Sequence, residues 1–589
     1  MKEKQLFYQD RILRFDDQRQ KTARLTGWLT FIRLILFLLI AFAAYWFWPH
    51  YRLVVAGIIS GGILFFIAVH FHQKMSQKKR YLIQLIKINQ DEITYLNGDL
   101  SPFKNGDSYK NDQHDFCNDL DVFGEESIFQ KINRTVLNEG DHQLAEKLKA
   151  NDIHDIPAKQ NTIKELADKL DFRQSFTAEA SLVKSEISNQ VLTDWLKNYK
   201  AFSPKKAHWF SLIFSVISLA LISLLFLGFL EFKHLVLWLL IGIGITGIYL
   251  KKINRLLQFI NQTQGVFQQY QALIGLIENA QFKSEKLKQI QSDFKSTDQQ
   301  ASQLIHRLTK LIDSLEQRNN LLMGIFLNGY LLWDIRLCYH IEKWILQHGS
   351  KVEKWLDYIN EMEALNSLAN FAYNHDEYVY PKLSDQYQLN VKNLIHPSLN
   401  PQKAVGNSLR LSSDDFLIIT GANMAGKSTF LRSIGSLILM ANCGLPVAAD
   451  NCDYQPIKLI SSMRTADSLA GEASYFYAEL ARLKKIIDTI EHEPHFIILD
   501  EILKGTNSED KAKGSQKFVE RLIKTKSAGL IATHDLSLCR VADQHEQVSN
   551  YHFDAQIIND ELIFDYQLKK GICQNMNASF LLRKMKIVE

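Results

Sequence analysis

The residues best placed to do chemistry lie between Gly421 and Thr429. From Phe416 the chain reads FLIITGANMAGKSTFLRSIG, an apolar run, a glycine loop and then a helix-like stretch. The G-x-x-x-x-G-K-S spacing in a strand–loop–helix context is that of a phosphate-binding loop. Gly421 and Gly426 permit the backbone angles that turn successive N–H groups towards phosphate oxygens. Lys427 is expected to reach the β- and γ-phosphates of ATP. Ser428 is expected to hold Mg²⁺ through its hydroxyl, and the following helix N-terminus favours the negative charge. Asn423 and Thr429 complete the expected nucleotide contacts. A second run, HFIILDEILKGTNS, ends in Asp500 and Glu501. Asp500 is placed to meet the Mg²⁺ shell, and Glu501 to act as general base or to position water for hydrolysis. A third, AGLIATHDLSL, ends in Thr533-His534-Asp535, which suggests His534 as a γ-phosphate sensor. Each motif alone also has a plain structural explanation: a chance glycine loop, acids closing a strand, a capping histidine. Their order along the chain is what joins them.

Three buried strands and at least one helix must hold these groups, and 589 residues leave room for several further domains. Charged residues make up 22% and hydrophobic ones 46%, and the net charge is only +4, which argues neither for nor against a polyanionic partner. Six cysteines are scattered without a C-x-x-C pair, so neither a zinc site nor a disulfide framework is suggested. Four apolar runs stand out, at residues 28–48, 53–71, 209–230 and 235–250. A helix needs about 20 apolar residues to cross a bilayer core. Pro49 breaks the first pair and Glu231 with Lys233 the second, so each pair reads as a helical hairpin. Arg11, Arg14, Arg19, Lys21 and Arg24 precede the first run. Lys74, Lys78, Lys79 and Arg80 follow the second, Lys205 and Lys206 precede the third, and Lys251, Lys252 and Arg255 follow the fourth. The positive-inside rule then places the N-terminus and the nucleotide motifs in the cytoplasm of a multi-pass membrane protein. Arg33 lies within the first run near its cytoplasmic end, where its head can snorkel to the interface.

With the motifs in place, a resemblance appears. P-loop, acid pair and then histidine is the order of the ABC-type ATPases, but the transporter signature L-S-G-G-Q is missing. TGANMAGKSTFLR, LDEILKGTNS and ATHDLSL together resemble the ATPase domain of the MutS DNA mismatch repair family. GLPVAAD (444–450) and SSMRTADSLAGEASYFYAEL (461–480) are similar to the stretches that connect those motifs in the family. The resemblance implies that Ser474 is the signature serine facing ATP bound by a partner subunit. That in turn implies a homodimer with composite ATP sites. Upstream, INEMEALNSLANFAYNHDEYVYPKL, NLIHPSL and DLDVFGEESIFQKINRTVLNEGDHQLAEKL are similar to the family's helical core and its entry to the nucleotide domain. The departures are Ala422 for a usual proline, and Leu503-Lys504 for a usual Gly-Arg. No room appears before Asp119 for the mismatch-reading domains. Phe123-Gly124-Glu125 and Phe229-Leu230-Glu231 spell the family's Phe-x-Glu wedge only by coincidence of position.

The sequence thus implies a multidomain protein. Residues 1–72 form a basic helix and the first transmembrane hairpin. Residues 73–207 form a helical segment with the start of a MutS-like core, whose stretch 97–121 is a polar loop. Residues 208–251 form the second hairpin and residues 252–388 an all-α core and lever region, helical throughout from 254 to 358. Residues 389–589 form an α/β P-loop ABC-type ATPase. ATP, Mg²⁺, a second copy of the chain and the lipid bilayer are the expected partners, and DNA follows from the resemblance. Lysines between 283 and 295 offer a basic patch for nucleic acid or, with acids interleaved, a solvated helix face. Two other functions stay open: a membrane scaffold that uses the dimer switch without DNA, and a transport ATPase.

Overall fold

The computed structural model describes residues 2–47, 51–182, 188–295, 299–400, 402–422, 424–464, 475–504, 507–558 and 561–574. Two compact units result, and they do not follow chain order. The first comprises residues 1–98, 136–140 and 171–363; the second comprises 99–135, 141–170 and 364–589.

The first unit is helical. Its long members are α1 (Lys2–Trp46), α2 (Tyr51–Leu96), α3 (Ala207–Phe226), α4 (Phe232–Asn279), α5 (Ala301–Glu316), α6 (Leu321–Leu331) and α7 (Trp333–Asn374), the last turns of α7 being counted with the second unit. The basic N-terminal stretch and the first apolar run are one continuous helix, since no glycine or proline interrupts Lys2–Trp46 other than Gly27. Pro49 lies outside the described residues. Among the described residues, four helices, α1 to α4, contain stretches long and apolar enough to cross a bilayer. Their large side chains face outward: Trp28, Phe37 and Phe42 on α1, Phe66 on α2, Trp209 and Leu219 on α3, and Leu237 and Leu240 on α4 are all more than half exposed. α1 and α2 lie close at Gly61, where a Cβ would stand 2.5 Å from Ile40 Cγ1. Arg33 places its guanidinium 5.8 Å from the Phe65 ring centroid, a cation–π contact for a charge in an apolar run. From 254 to 358 the described residues are helical as their periodicity implies, but the run is broken repeatedly. Leu332 takes a left-handed conformation (φ 49°) and turns α6 into α7 through 82°. No proline or glycine marks that bend, so periodicity alone passes over it.

The second unit carries two sheets. The larger has the order β10-β9-β4-β8-β7-β6, built from β4 (Phe416–Gly421), β6 (Lys458–Ser462), β7 (His495–Asp500), β8 (Ala528–Ala532), β9 (Val548–Ile558) and β10 (Glu561–Lys570). All neighbours are parallel except β9 and β10. The smaller has the order β1-β5-β2-β3, from β1 (Lys382–Leu383), β2 (Leu389–Leu394), β3 (Asn407–Leu411) and β5 (Asn451–Tyr454). Parallel strands covered on both faces read as unbroken apolar runs. FLIIT, HFIIL and AGLIA are such runs, and every residue in them is buried. Helices α8 (Lys427–Asn442), α9 (Tyr475–Ile490) and α10 (Ser508–Ile523) accompany the sheet. Ile486 and Leu483 of α9 and Val519 and Leu522 of α10 join Ile418, Ile497 and Ile531 in one core.

The polar stretch 97–121 forms the expected loop, but its end is buried against this sheet. Leu120 lies under α8, where a Cβ on Gly435 would stand 2.5 Å from its Cδ2. Asp119 is 4% exposed; its carboxylate accepts from Ser461 Oγ at 2.6 Å and from Arg464 N at 2.8 Å. Arg432 of α8 donates to the Asp119 carbonyl, and Arg482 of α9 donates to the carbonyls of His114 and Asp115. Asn, Asp and Gly in this stretch therefore serve buried polar anchoring as well as chain reversal.

Candidate functional site

Strands β4, β7 and β8 lie side by side, so their carboxyl ends bring the three motifs together. β4 also pairs with β9 on its other edge, and the crevice beyond the strand ends is where open α/β sheets bind ligands. A cavity of about 610 Å³ opens there. Gly426, Lys427, Ser428, Thr429, Asp500, Glu501 and His534 all line it. Gly421 closes β4 at φ +143°, and a Cβ on it would stand 2.5 Å from the Phe553 carbonyl oxygen. Gly426, at φ +104°, is the residue before α8. The loop therefore needs both glycines for conformation, and Gly421 for space as well. Asn423 and Ser474 lie outside the described residues, as does half of the 461–480 stretch, residues 465–474.

The polar groups are arranged around the N-terminus of α8. Lys427 is largely buried, and its ammonium donates to the carbonyls of Gly421 (2.8 Å) and Ala422 (2.9 Å). Its Nζ also stands 3.4 Å from His534 Nε2. Burial holds the Lys427 pKa below the ordinary lysine value, with Asp500 and Glu501 working against the shift. Ser428 Oγ donates to Asp500 Oδ2 at 2.5 Å. A hydroxyl and a carboxylate in contact at a helix N-terminus form an oxygen donor pair suited to a hard divalent cation such as Mg²⁺, whose other positions water and phosphate fill. His534 is pushed below its ordinary value by burial and then by Lys427, which favours the neutral ring, with Glu501 and Asp500 working against the shift.

Glu501 takes a left-handed backbone conformation (φ 54°), with its N–H donating to the Ala532 carbonyl across to β8. Non-glycine residues so placed cost of order 1–3 kcal/mol and cluster at functional sites. Its carboxylate meets Lys511 of α10 at 3.0 Å and stands 4.0 Å from Lys504. Burial works to raise the Glu501 pKa, but the Lys511 hydrogen bond and charge outweigh it and leave it lowered. Leu503, at the position where the sequence departs from a glycine, also has positive φ (58°), while its side chain is buried in the core.

Several cavity residues had no assigned role in the sequence. Tyr566 and Phe553 come from the β9–β10 hairpin, which no motif marks. Tyr566 has φ 54° and sits in an irregularity of the ladder between Phe564 and Leu568. His396 appeared only as part of NLIHPSL. Its Nδ1 accepts from Ser398 N–H at 3.1 Å and its Nε2 stands 3.2 Å from Ser436 Oγ. Burial, then Lys131 and Arg432, push its pKa down to about 4. A histidine beside a proline is the available signal, but nothing in its spacing joins it to the loop.

Fold and site together define an α/β domain with a glycine-loop crevice at the carboxyl ends of a mostly parallel sheet. Residues 417–585 match the family model described as MutS domain V. The DNA mismatch repair protein MutS of Staphylococcus haemolyticus is 29% identical over 269 residues, 44% of this chain and 30% of that protein. MutS protein homolog 4 of Homo sapiens is 30% identical over 244 residues, 40% of this chain and 26% of that protein. The matches thus span less than a third of the length of these curated relatives. Over this domain the chain is similar to proteins of the MutS family.

Proposed function

We propose that this chain is a membrane-anchored ATPase of the MutS family that binds Mg-ATP in the α/β crevice and hydrolyses it between two copies of the domain. The observation that carries this reading is the convergence of Gly426, Lys427, Ser428, Asp500, Glu501 and His534 on one cavity. The loop amides and Lys427 bind the phosphates, which requires Lys427 to exchange its contacts with Gly421 and Ala422 for phosphate oxygens. Ser428 and Asp500 hold Mg²⁺, which when bound neutralises charge on the phosphates. Glu501 orients the attacking water and accepts its proton. His534, neutral, hydrogen-bonds near the γ-phosphate. Attack breaks the β–γ bridge bond and yields ADP and inorganic phosphate. Gly421, Asn423 and Thr429 complete the nucleotide pocket, and Ser474 of a second copy closes it.

The relatives' names supply the DNA half: the chain acts on mismatched or otherwise structured DNA, with the four apolar helices holding it in a membrane and the nucleotide domain in the cytoplasm. The outward-facing apolar helices of the first unit favour a second reading, a membrane scaffold that uses the same dimer switch without DNA. One experiment separates the two. The ATPase rate of the detergent-solubilised protein is measured with homoduplex, mismatched and branched DNA at two salt concentrations. A rate change that fades with salt supports DNA; no binding and no rate change with any DNA removes it and leaves the scaffold. Glu501→Gln should keep ATP binding and lose turnover, and retained turnover would take Glu501 out of its role.

A further inference from the structure

Helix α6 is an 11-residue apolar helix, LLMGIFLNGYL, that the chain's hydropathy pattern merges with its neighbours. It is about 16 Å long, half the thickness of a bilayer core. One side of it packs on the second apolar hairpin, α3 and α4. The backbones meet at glycines: a Cβ on Gly242 of α4 would stand 2.2 Å from the Gly329 carbonyl oxygen, and one on Gly329 would stand 2.7 Å from Leu239 Cγ. Small residues at such a crossing are how helices associate where no hydrophobic effect drives them.

The C-terminal end of α6 is satisfied by protein groups from the same hairpin. Ser218 Oγ of α3 donates to the Tyr330 carbonyl at 2.7 Å, and Trp238 Nε1 of α4 donates to that same hydroxyl at 2.8 Å. Tyr330 OH donates to the Leu235 carbonyl at 3.3 Å. In water a helix end needs no such care; in hydrocarbon a bare carbonyl costs several kcal/mol. The bend that follows brings Arg318 and Asp334 together at 3.2 Å, with the Asp334 side chain fully buried, so the charges there are paired. Ser218 lies about 14 Å along α3 from Trp209, near the middle of a span of that length.

Among the described residues, nothing covers the opposite side of α6. Leu321, Leu322 and Phe326 are 75%, 69% and 57% exposed, and Leu219 of α3 and Leu237 of α4 are likewise 66% and 61% exposed. We infer that α6 is a re-entrant half-helix: it enters the bilayer beside the second hairpin, turns at Leu332 near mid-depth and leaves as α7, with lipid acyl chains covering Leu321, Leu322 and Phe326. The inference rests on the hairpin itself spanning the membrane. It is what that apolar surface requires, because α6 packs directly on the apolar hairpin and is too short to cross alone.

The test uses the full chain in phospholipid vesicles, with spin labels on Leu322→Cys and Phe326→Cys. Leu219→Cys on α3 and Lys484→Cys on the α/β unit are the references, Lys484 being 75% exposed. All six native cysteines are buried or partly buried, so brief labelling favours the introduced thiol. Accessibility to oxygen and to a water-soluble nickel chelate is read by electron paramagnetic resonance. Both α6 labels should match Leu219→Cys, with high oxygen and low nickel accessibility. If they match Lys484→Cys while Leu219→Cys reads as lipid-exposed, the re-entrant helix is wrong and the hairpin stands. If Leu219→Cys itself reads as aqueous, the membrane reading falls and the inference falls with it.

Discussion

His396 lets the α/β unit be tested through protonation. The ring is held neutral: it accepts a backbone N–H at Nδ1, lies beside Ser436 Oγ, and faces Lys131 and Arg432, with Asp121 the opposing acid. Its pKa falls from 6.5 to about 4. A histidine depressed in the folded state takes up protons more readily when unfolded, so acid favours unfolding between the two values. Above pH 6.5 both states are neutral and the effect vanishes; below about pH 4 it is complete. Going from pH 7 to pH 5 costs about 2 kcal/mol, and the full shift about 3 kcal/mol, at 1.36 kcal/mol for each pH unit. The perturbation is His396→Gln, which keeps an amide donor near Ser436 and removes the titration. The assay is urea-dependent thiol exposure of Cys452 and Cys539, both buried in the α/β unit, at the two pH values. Other groups, His114 among them, titrate equally in both proteins and cancel in the difference. The wild type should lose about 2 kcal/mol more than the variant between pH 7 and pH 5. Equal losses would refute the assignment of a depressed, buried His396.

Further outcomes follow from the same geometry. Lys511→Met removes the main influence lowering the Glu501 pKa, so the acidic limb of the ATPase pH profile should move to higher pH; an unmoved limb would separate that limb from Glu501. Gly421→Ala places a methyl 2.5 Å from the Phe553 carbonyl at a φ of +143°, and should abolish binding of a fluorescent ATP analogue and lower the melting temperature. Asp119→Ala leaves Ser461 and the Arg464 N–H without their carboxylate and should cost about 2–3 kcal/mol in the same thiol-exposure assay.

The crevice was legible because its residues act locally. A glycine loop between a buried strand and a helix, and acids at a strand end, each declare themselves over about ten residues. What the sequence could not show depends on long-range pairing. Tyr566 and Phe553 reach the cavity because β9 lies beside β4, more than a hundred residues away, and no local pattern encodes that neighbour. Residues 97–121 look like a loop because they are rich in Asn, Asp, Gly and Ser, yet Asp119 and Leu120 are buried in the α/β unit. α6 was merged into one helical stretch because Leu332 bends the chain without a residue type that announces a bend. Leu503 is the converse case. A departure from glycine was visible in the sequence, and its consequence, a leucine at φ 58°, required the backbone.

The interleaving of the two units also bears on synthesis. Residues 99–170 leave the ribosome long before the strands they pack on. At about 5–20 residues per second, the roughly 340 residues from Leu120 to the end of β6 take about 17–70 s to appear. Leu120, Phe116 and the buried carboxylate of Asp119 must wait that long for α8 and β6, exposed or in the care of a chaperone. A fragment cut at residue 389 would never receive them, so the α/β unit cannot be dissected from this protein at a single point in its gene.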